Sequence, residues 1–346
     1  MPGPLQGVTV IELPAIGPVP FLGMLLSDLG AQVVRVLKPK AKRNFLEESF
    51  VAPPLGRGRR DIEIDLREPG SAETVLAEIE RADALIEGFR PGVAERLGLG
   101  PREALARNPR LVYGRLTGWG QDGPLAATAG HDITYLAISG LLHGVGERGR
   151  TPVPPVNYVA DFGGGSMFLA TGVLAAILQA RQSGKGQVVD AAMVEGAAYL
   201  GSMTSAFHGL GLWRDERGVN LLDGGMPNYR CYECADGQYV AVGALEAQFW
   251  TALCAGLGLD EEAIGSPYDE TVRDQLTALL AARFAERTRD EWAGHFAATD
   301  ACVAPVLSLA EARTHQHAIA RGAYIDSAGV TMPAPAPRFS GSGTPD

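Results

Sequence analysis

Four cysteines in 346 residues are too few for a disulfide framework, and no histidines cluster beside them. The single C-x-x-C, Cys231 and Cys234, lacks the second pair that a zinc site needs and suits a strand leading into the turn Ala235-Asp236-Gly237. No metal site is expected. The chain opens without a basic and then apolar leader and ends in Gly-Thr-Pro-Asp, no peroxisomal address, so a reducing, cytoplasmic setting is expected. Long hydrophobic runs are missing too: the longest, near Met167 to Leu178, is short for a membrane span and interrupted by Gly172. Positive charge is in deficit, with 30 basic against 40 acidic residues and a net charge of −10. That argues against nucleic acid as a partner and leaves room only for a local phosphate pocket. Neither a G-x-G-x-x-G fingerprint nor a P-loop follows the first expected strand. The chain runs instead into Pro14-Ala15-Ile16-Gly17-Pro18, which bends it without offering a row of free N–H groups, and NAD is disfavoured on that ground.

What remains is an ordinary globular composition, 46% hydrophobic and 20% charged, at a length suited to two domains. The first third alternates short apolar runs with helical patterns, the mark of a parallel α/β sheet in a nucleotide-binding domain. Strands are expected at Val8 to Leu13, Gln32 to Leu37, Ile62 to Leu66, Ala84 to Glu87 and Leu111 to Leu116. Helices are expected at Phe21 to Leu29 and Ala72 to Arg81, then at Ile133 to Leu142, Ser166 to Gln182 and Val194 to Leu210. The chain turns polar and glycine-rich after that, so 211–228 is expected as a linker between a large domain, 1–210, and a smaller α+β domain, 229–324. The small domain opens with a hairpin, Tyr229 to Cys234 and Tyr239 to Val242, and continues in helices at 247–257, 268–286 and 289–297. Cys302 to Leu307 and the tail 325–346 are expected to return to the large domain.

Several local patterns can carry chemistry. Asp161 stands ahead of Gly163, Gly164 and Gly165, which precede an apolar helix, so it either caps that helix or transfers a proton beside free N–H groups. In Gly130-His131-Asp132 a helix begins with two capping candidates, one of them a group that titrates near neutrality. His131 is there either structural or a general base. Glu246 heads another helix, where an acid is favoured by the dipole whether or not it reacts. Arg35, Lys38, Lys40, Lys42 and Arg43 form one basic cluster, and Arg57, Arg59 and Arg60 a second, with Arg90 at a turn. Each is a phosphate patch or a solvated charge run.

In their order along the chain, these segments resemble the family III CoA transferases and, within them, the α-methylacyl-CoA racemases. The resemblance spans nearly the whole sequence. It runs through Asp28-Leu29-Gly30-Ala31-Gln32-Val33-Val34-Arg35-Val36, Gly88-Phe89-Arg90-Pro91-Gly92-Val93, Thr117-Gly118-Trp119-Gly120-Gln121 and Gly130-His131-Asp132-Ile133. It continues through Asp161-Phe162-Gly163-Gly164-Gly165, Gly184-Lys185-Gly186-Gln187-Val188-Val189-Asp190, Tyr232-Glu233-Cys234-Ala235-Asp236-Gly237, Gly243-Ala244-Leu245-Glu246 and Pro335-Ala336-Pro337-Arg338-Phe339-Ser340. The resemblance implies a Rossmann-like large domain, a smaller α+β domain and an interlocked homodimer. It implies exchange of the α-proton of a 2-methylacyl-CoA through an enolate, with no metal or redox cofactor, CoA being part of the substrate. His131 supported by Glu246 then works on one face and Asp161 on the other. Backbone N–H groups at a helix start near Asp161 or Asp132 are expected to stabilise the enolate oxygen, Asp132, Gly163, Gly164 and Gly165 to contact the substrate, and Lys38, Arg57, Arg60 and Arg90 to hold the CoA phosphates. Lys38 stands where relatives often carry Arg, and the stretch from Arg43 to Gly58 follows no family pattern.

Two rivals differ in chemistry. A CoA transferase would use Asp161 as a nucleophile, through a mixed anhydride and an enzyme-bound thioester, and would need no base at position 131. A non-catalytic acyl-CoA-binding protein would leave the acid and base residues without a task. The acyl chain itself, whether a branched fatty acid, a sterol side chain or a smaller metabolite, is not encoded in these motifs.

Overall fold

The computed structural model describes residues 3–52 and 54–340. The chain forms two compact units, one of Met1–Leu141, Pro155–Ser202 and His317–Asp346, the other of Leu142–Pro154 and Met203–Gln316. The division departs from the expected boundaries at three places: 142–154 and 203–228 group with the second unit, and 317–324 with the first. The polar stretch expected as a linker is an ordered loop. Asp223 accepts the N–H groups of Gly218, Asn220 and Gly225 at 2.9, 2.8 and 3.1 Å, and the buried Asn220 side chain donates to the Arg214 and Glu216 carbonyls.

The first unit runs through β1 (Thr9–Glu12), α1 (Pro18–Asp28), β2 (Gln32–Leu37), α2 (Phe45–Val51), β3 (Arg60–Glu63), α3 (Ser71–Ile79) and β4 (Ala84–Glu87). It continues with α4 (Val93–Arg96), α5 (Pro101–Arg107), β5 (Val112–Thr117), α6 (Asp132–Ser139), α7 (Met167–Ser183), β6 (Gln187–Ala192), α8 (Met193–Leu200) and the start of α9 (Ser202–Gly209). All six strands pair in parallel, in the order β3-β2-β1-β4-β5-β6. Val10, Ile11, Val33, Val34, Leu85, Ile86 and Val112 are buried, as in a sheet covered on both faces, and this explains why these strands read as unbroken apolar runs. The two edges depart from expectation. β3 begins at Arg60, pairing it with Val34, two residues earlier than its apolar residues suggest. β6 was not anticipated as a strand, because its first four residues lie at or near the surface and form no apolar run.

A π-helical stretch, Tyr158–Ser166, runs without a break into α7. Together they span 26 residues, long and apolar enough to cross a membrane by length and composition, which corrects the expectation of a stretch too short for that. The α7 face of Leu169, Ala170, Val173, Ala176, Ile177 and Ala180 is buried, and Leu169 and Val173 pack over Gly114 of β5. The α-helix begins within one residue of the expected Ser166, but the glycines ahead of it are wound into the π stretch, where Gly164 admits the backbone of α8. A Cβ on Gly164 would lie 2.6 Å from the Ala197 nitrogen, and one on Gly196 only 1.8 Å from the Gly164 oxygen.

In the second unit β7 (Tyr229–Glu233), β8 (Tyr239–Gly243) and β9 (Val303–Pro305) form an antiparallel sheet. α10 (Ala247–Leu257), α11 (Glu261–Ile264), α12 (Arg273–Phe284), α13 (Arg289–Phe296) and α14 (Leu309–Thr314) complete it. Trp250, Leu253, Phe284, Trp292 and Phe296 form its core with Val240 and Val242. The 302–307 segment was expected to return to the large domain. It stays here instead, because Val303 and Pro305 find their backbone partners on β8. After α15 (Gln316–Ala320), an unanticipated hairpin of β10 (Tyr324–Ser327) and β11 (Val330–Pro333) belongs to the first unit.

The Gly164–Gly196 contact is backbone against backbone, so nothing nearby can yield by changing rotamer. Gly196→Ala is expected to destabilise the first unit by about 3 kcal/mol, the upper end for overpacking, read as a lower urea midpoint than wild type.

Candidate active site

β1 and β4 are neighbours, but the chain leaves them towards opposite sides of the sheet, since β2 and β3 lie beyond β1 and β5 and β6 beyond β4. In such a sheet the loops leaving the two strands diverge and a crevice opens at their carboxyl ends. A cavity of about 490 Å³ occurs there, lined by Glu12, Ala15 and Ile16 after β1, Leu37 and Lys38 after β2, and Gly88, Phe89 and Arg90 after β4. Arg43, Glu47 and Phe50 close one side, and His131 stands at another. The first turn of α1 holds Pro18 and Pro20, so this helix start has few N–H groups to offer an anion.

Two buried carboxylates shape the crevice. Glu12 is wholly buried and receives Arg59 Nη1 at 2.9 Å, which also donates to the Pro20 carbonyl at 2.8 Å. Glu87 accepts the Phe89 N–H at 2.6 Å and Arg115 Nε at 2.9 Å, while Arg115 reaches Glu95 at 2.8 Å, fixing the turn that carries Arg90. Burial pushes both carboxyls up to about 7, against the pull of Arg59 and Arg35 on Glu12 and of the Phe89 N–H and Arg115 on Glu87.

Asp132 settles which member of the His131-Asp132 pair caps and what it caps. Its Oδ2 accepts the N–H groups of Ala160 and Asp161, both at 2.8 Å, so it secures the first turn of the π stretch rather than its own helix. His131 is the N-cap of α6 through its backbone: its N–H donates to Thr134 Oγ1 at 3.0 Å and its carbonyl accepts the Thr134 N–H at 2.8 Å. The imidazole is thereby placed at the cavity wall and Asp161 is tied to the same dipeptide. Asp161 does not cap the helix after it. It accepts Asn157 Nδ2 at 3.2 Å, and a Cβ built on Gly17 would lie 3.9 Å from its Oδ2. Burial raises its carboxyl above the ordinary range. Asn157 and His131 lower it and Asp132 raises it further, leaving it shifted towards the protonated form. Such a carboxyl can give a proton as well as take one.

Tyr135 was not singled out in the sequence, although its ring is wedged where a Cβ on Gly118 or Gly130 would approach it to 2.3 or 2.4 Å. Burial and the charges of Asp161 and Asp132, opposed by Arg90, push its hydroxyl up to about 12, so it stays a neutral donor. The two glycines were its only signal. Glu47 and Phe50 were likewise not singled out, while Arg35 and Arg43, named only as members of a basic cluster, do line the cavity.

Of the four cations expected at the phosphates, Lys38 and Arg90 line the cavity. Arg57 does not: both arms hold Asp28, at 2.9 and 2.5 Å, and Arg60 pairs with Glu78 at 2.9 Å. Gly163 lies against Leu200, and Gly164 and Gly165 are buried against α8, so close packing accounts for these glycines. Glu246, in the second unit, is the exposed N-cap of α10; its carbonyl accepts the Phe249 and Trp250 N–H groups, both at 3.0 Å. Asn228 braces the turn before it, with Nδ2 2.8 Å from the Ala244 carbonyl, and Tyr268 donates its hydroxyl to the Leu245 carbonyl.

The model of the CoA-transferase family III matches residues 5–346. The chain belongs to CoA-transferase family III. Within this family it is 44% identical over 337 residues to the alpha-methylacyl-CoA racemase of Mus musculus, covering 97% of this chain and 86% of that protein. The succinyl-CoA:glutarate CoA-transferase of Mus musculus is 27% identical over 355 residues, 97% of this chain and 81% of that one. A crystal structure of a CAIB/BAIF family protein from Brucella suis shares the family III fold with a TM-score of 0.82 at 26% identity, over 99% of this chain and 94% of that one.

Removing the Asp132 carboxylate leaves two backbone N–H groups without their acceptor. Asp132→Ala is expected to cost about 3 kcal/mol and to abolish the hydrogen-exchange protection of the Ala160 and Asp161 amides, read by mass spectrometry or NMR. Glu12 and Glu87 fix a pH dependence. Between their ordinary value of 4.5 and about 7 the folded state keeps protons that the unfolded chain has released, so their contribution to stability falls as pH rises. Urea midpoints taken from pH 5 to 7.5 should therefore decline less steeply in Glu87→Gln than in wild type.

Proposed function

We propose that the protein interconverts (R)- and (S)-2-methylacyl-CoA thioesters by moving the α-proton through an enolate. The 44% identity to an alpha-methylacyl-CoA racemase across 97% of the chain carries this proposal, against 27% and 34% to two CoA transferases. In the proposed reaction one base removes the proton from the α-carbon, leaving the electron pair delocalised into the thioester carbonyl. A group on the opposite face then delivers a proton to the same carbon. His131 and Asp161 are the two groups, exchanging roles with the direction of reaction. The raised Asp161 carboxyl supports this assignment, since a two-base racemase needs one group deprotonated and the other protonated at the same pH, and a raised carboxyl holds its proton more readily. The N–H of Asp132, in the first turn of α6, has no partner among the described residues and is proposed as the donor to the enolate oxygen. Lys38 and Arg90 are proposed to bind the CoA phosphates, and that remote binding holds the α-carbon between the bases. CoA enters with the substrate, and no further cofactor takes part.

Glu246 is proposed to support His131 across a homodimer, the partner subunit's Glu246 serving each site. Ile138, Leu178, Tyr199 and Leu200, at 64, 64, 71 and 50% exposure, give the helices of the first unit an apolar surface in keeping with such an assembly.

Incubation with either enantiomer in D2O should place deuterium on the α-carbon and equilibrate the two, without an added acceptor acid. His131→Ala and Asp161→Ala should each slow exchange by about 10²- to 10⁴-fold. Transfer of CoA to an added carboxylate, with a hydroxylamine-trappable ester on Asp161 and no exchange, would overturn the proposal in favour of the transferase. Mixing His131→Ala with Glu246→Ala subunits tests the assembly. Random pairing across a shared site restores about a quarter of wild-type activity, because each mixed dimer holds one intact site, whereas sites confined to one chain restore none.

A further inference from the structure

One wall of the cavity is formed by α2. α2 buries none of its residues fully, so packing alone does not hold it. It is held by Arg35, whose Nη1 and Nη2 donate to the Phe50 and Val51 carbonyls at 3.1 and 3.3 Å while Nε and Nη2 grip Asp61, both at 2.9 Å. Arg59 donates to the Leu55 carbonyl just beyond. The helix is thus pinned in place with Glu47 and Phe50 facing the cavity.

The cations on the cavity differ in how fully they are occupied. Arg35 is satisfied as described. Arg43, with its side chain 6% exposed, donates to the Lys38 carbonyl and Glu48, both at 2.9 Å, and pairs with Glu63. Arg90 is exposed and has no ion pair among the described residues. Lys38 lies between these cases: its side chain is 37% exposed and the ammonium meets one carboxylate, Glu47. Glu47 divides its oxygens, Oε1 towards Lys38 and Oε2 accepting the Asn44 N–H at 2.9 Å in a capping box whose other half is Glu47 N–H to Asn44 Oδ1 at 2.9 Å. Its partial burial works against ionisation, but Lys38, the Asn44 N–H and Arg43 outweigh that and hold the carboxyl below its ordinary range.

We propose that Glu47 is a specificity-determining residue, an internal anion whose pairing with Lys38 must be broken by the phosphate-bearing end of CoA. The inference rests on the assignment of this cavity to CoA made above. Among the cavity cations that already hold a carboxylate, Lys38 is the one the ligand can recruit at least cost, since Arg35 and Arg43 would each have to abandon several bonds. A ligand without phosphates cannot draw Lys38 away and meets an uncharged exchange. A phosphorylated ligand gains Lys38 but does so beside a fixed carboxylate, which repels it. The element therefore lowers affinity for anions in general and keeps the site for ligands that offset the cost with contacts elsewhere along their length.

Glu47→Gln removes the charge while an amide oxygen can still accept the Asn44 N–H, so the cap is kept. Calorimetric titration at low ionic strength is expected to show CoA binding the variant about three- to tenfold more tightly than wild type, with a smaller change for pantetheine, which lacks the nucleotide phosphates. The gain should shrink at 0.5 M salt, by ordinary screening over about 4 Å, and vanish in a Lys38→Gln background. Glu48→Gln, which removes a neighbouring charge from Arg43, should give a smaller gain. Unchanged or weaker CoA binding by folded Glu47→Gln, an equal gain for pantetheine, or an equal gain in Glu48→Gln overturns the inference while leaving the CoA site standing. Absence of saturable CoA binding by wild type overturns the site assignment and the inference with it.

Discussion

Carboxylates buried at the ends of two adjacent strands hold the crevice in shape. Glu12 closes β1 and Glu87 closes β4, and each is satisfied by one arginine and by what that arginine or the carboxylate itself can reach. Removing one partner from such a pair leaves a charge with neither water nor a counter-ion, a heavier penalty than the pair's own net worth. The arrangement therefore resists change and fixes the loops it touches. Through Arg59 it fixes the start of α1 and the chain after α2, and through Phe89 it fixes the turn that carries Arg90. Gly23 shows how tightly this is built, for a Cβ there would fall 1.9 Å from Glu12 Oε2. Asp132 repeats the device for the two proposed bases, with one carboxylate oxygen positioning the backbone of Asp161 and its own backbone following directly on His131.

Much of this was legible in the sequence, and the parts that were not have physical reasons. β2 and β4 were placed to the residue, because central parallel strands are apolar on both faces and stand out in any composition. The edge strands β3 and β6 were displaced or missed, since one exposed side removes that signal. His131, Asp132 and Asp161 were found through capping logic, but which carboxylate capped which helix depended on a contact between residues 28 and 29 positions apart. The arginines were the least legible. Arg57 and Arg60 lie in the same basic run as Arg59, yet each is committed to a different acid, and no spacing rule separates an arginine that faces a ligand from one that ties a loop.

The π-helical stretch illustrates how packing overrides a local expectation. Three glycines before an apolar helix suggest free N–H groups at its start, yet here they let two backbones touch. π turns are uncommon and concentrate where a side chain has to be aimed rather than where a helix only has to be stable. The Asp161 carboxyl is aimed in that way: its segment is anchored at Ala160 and Asp161 by Asp132, at Ser166 by the Pro18 carbonyl at 2.7 Å, and along Gly164 by α8.

The first unit is interrupted. Its sheet is complete by β6, but β10 and β11 join it only after the whole of the second unit has passed. Met332 of β11 is buried and lies 2.9 Å from Arg57, the residue that also binds Asp28 on α1. During synthesis, then, the second unit has every residue it needs before the first does. The early sheet must wait with part of its surface uncovered while more than a hundred residues emerge and fold. The order of translation thus makes the inserted unit the first to be finished, while the unit that carries the cavity receives its closing hairpin last.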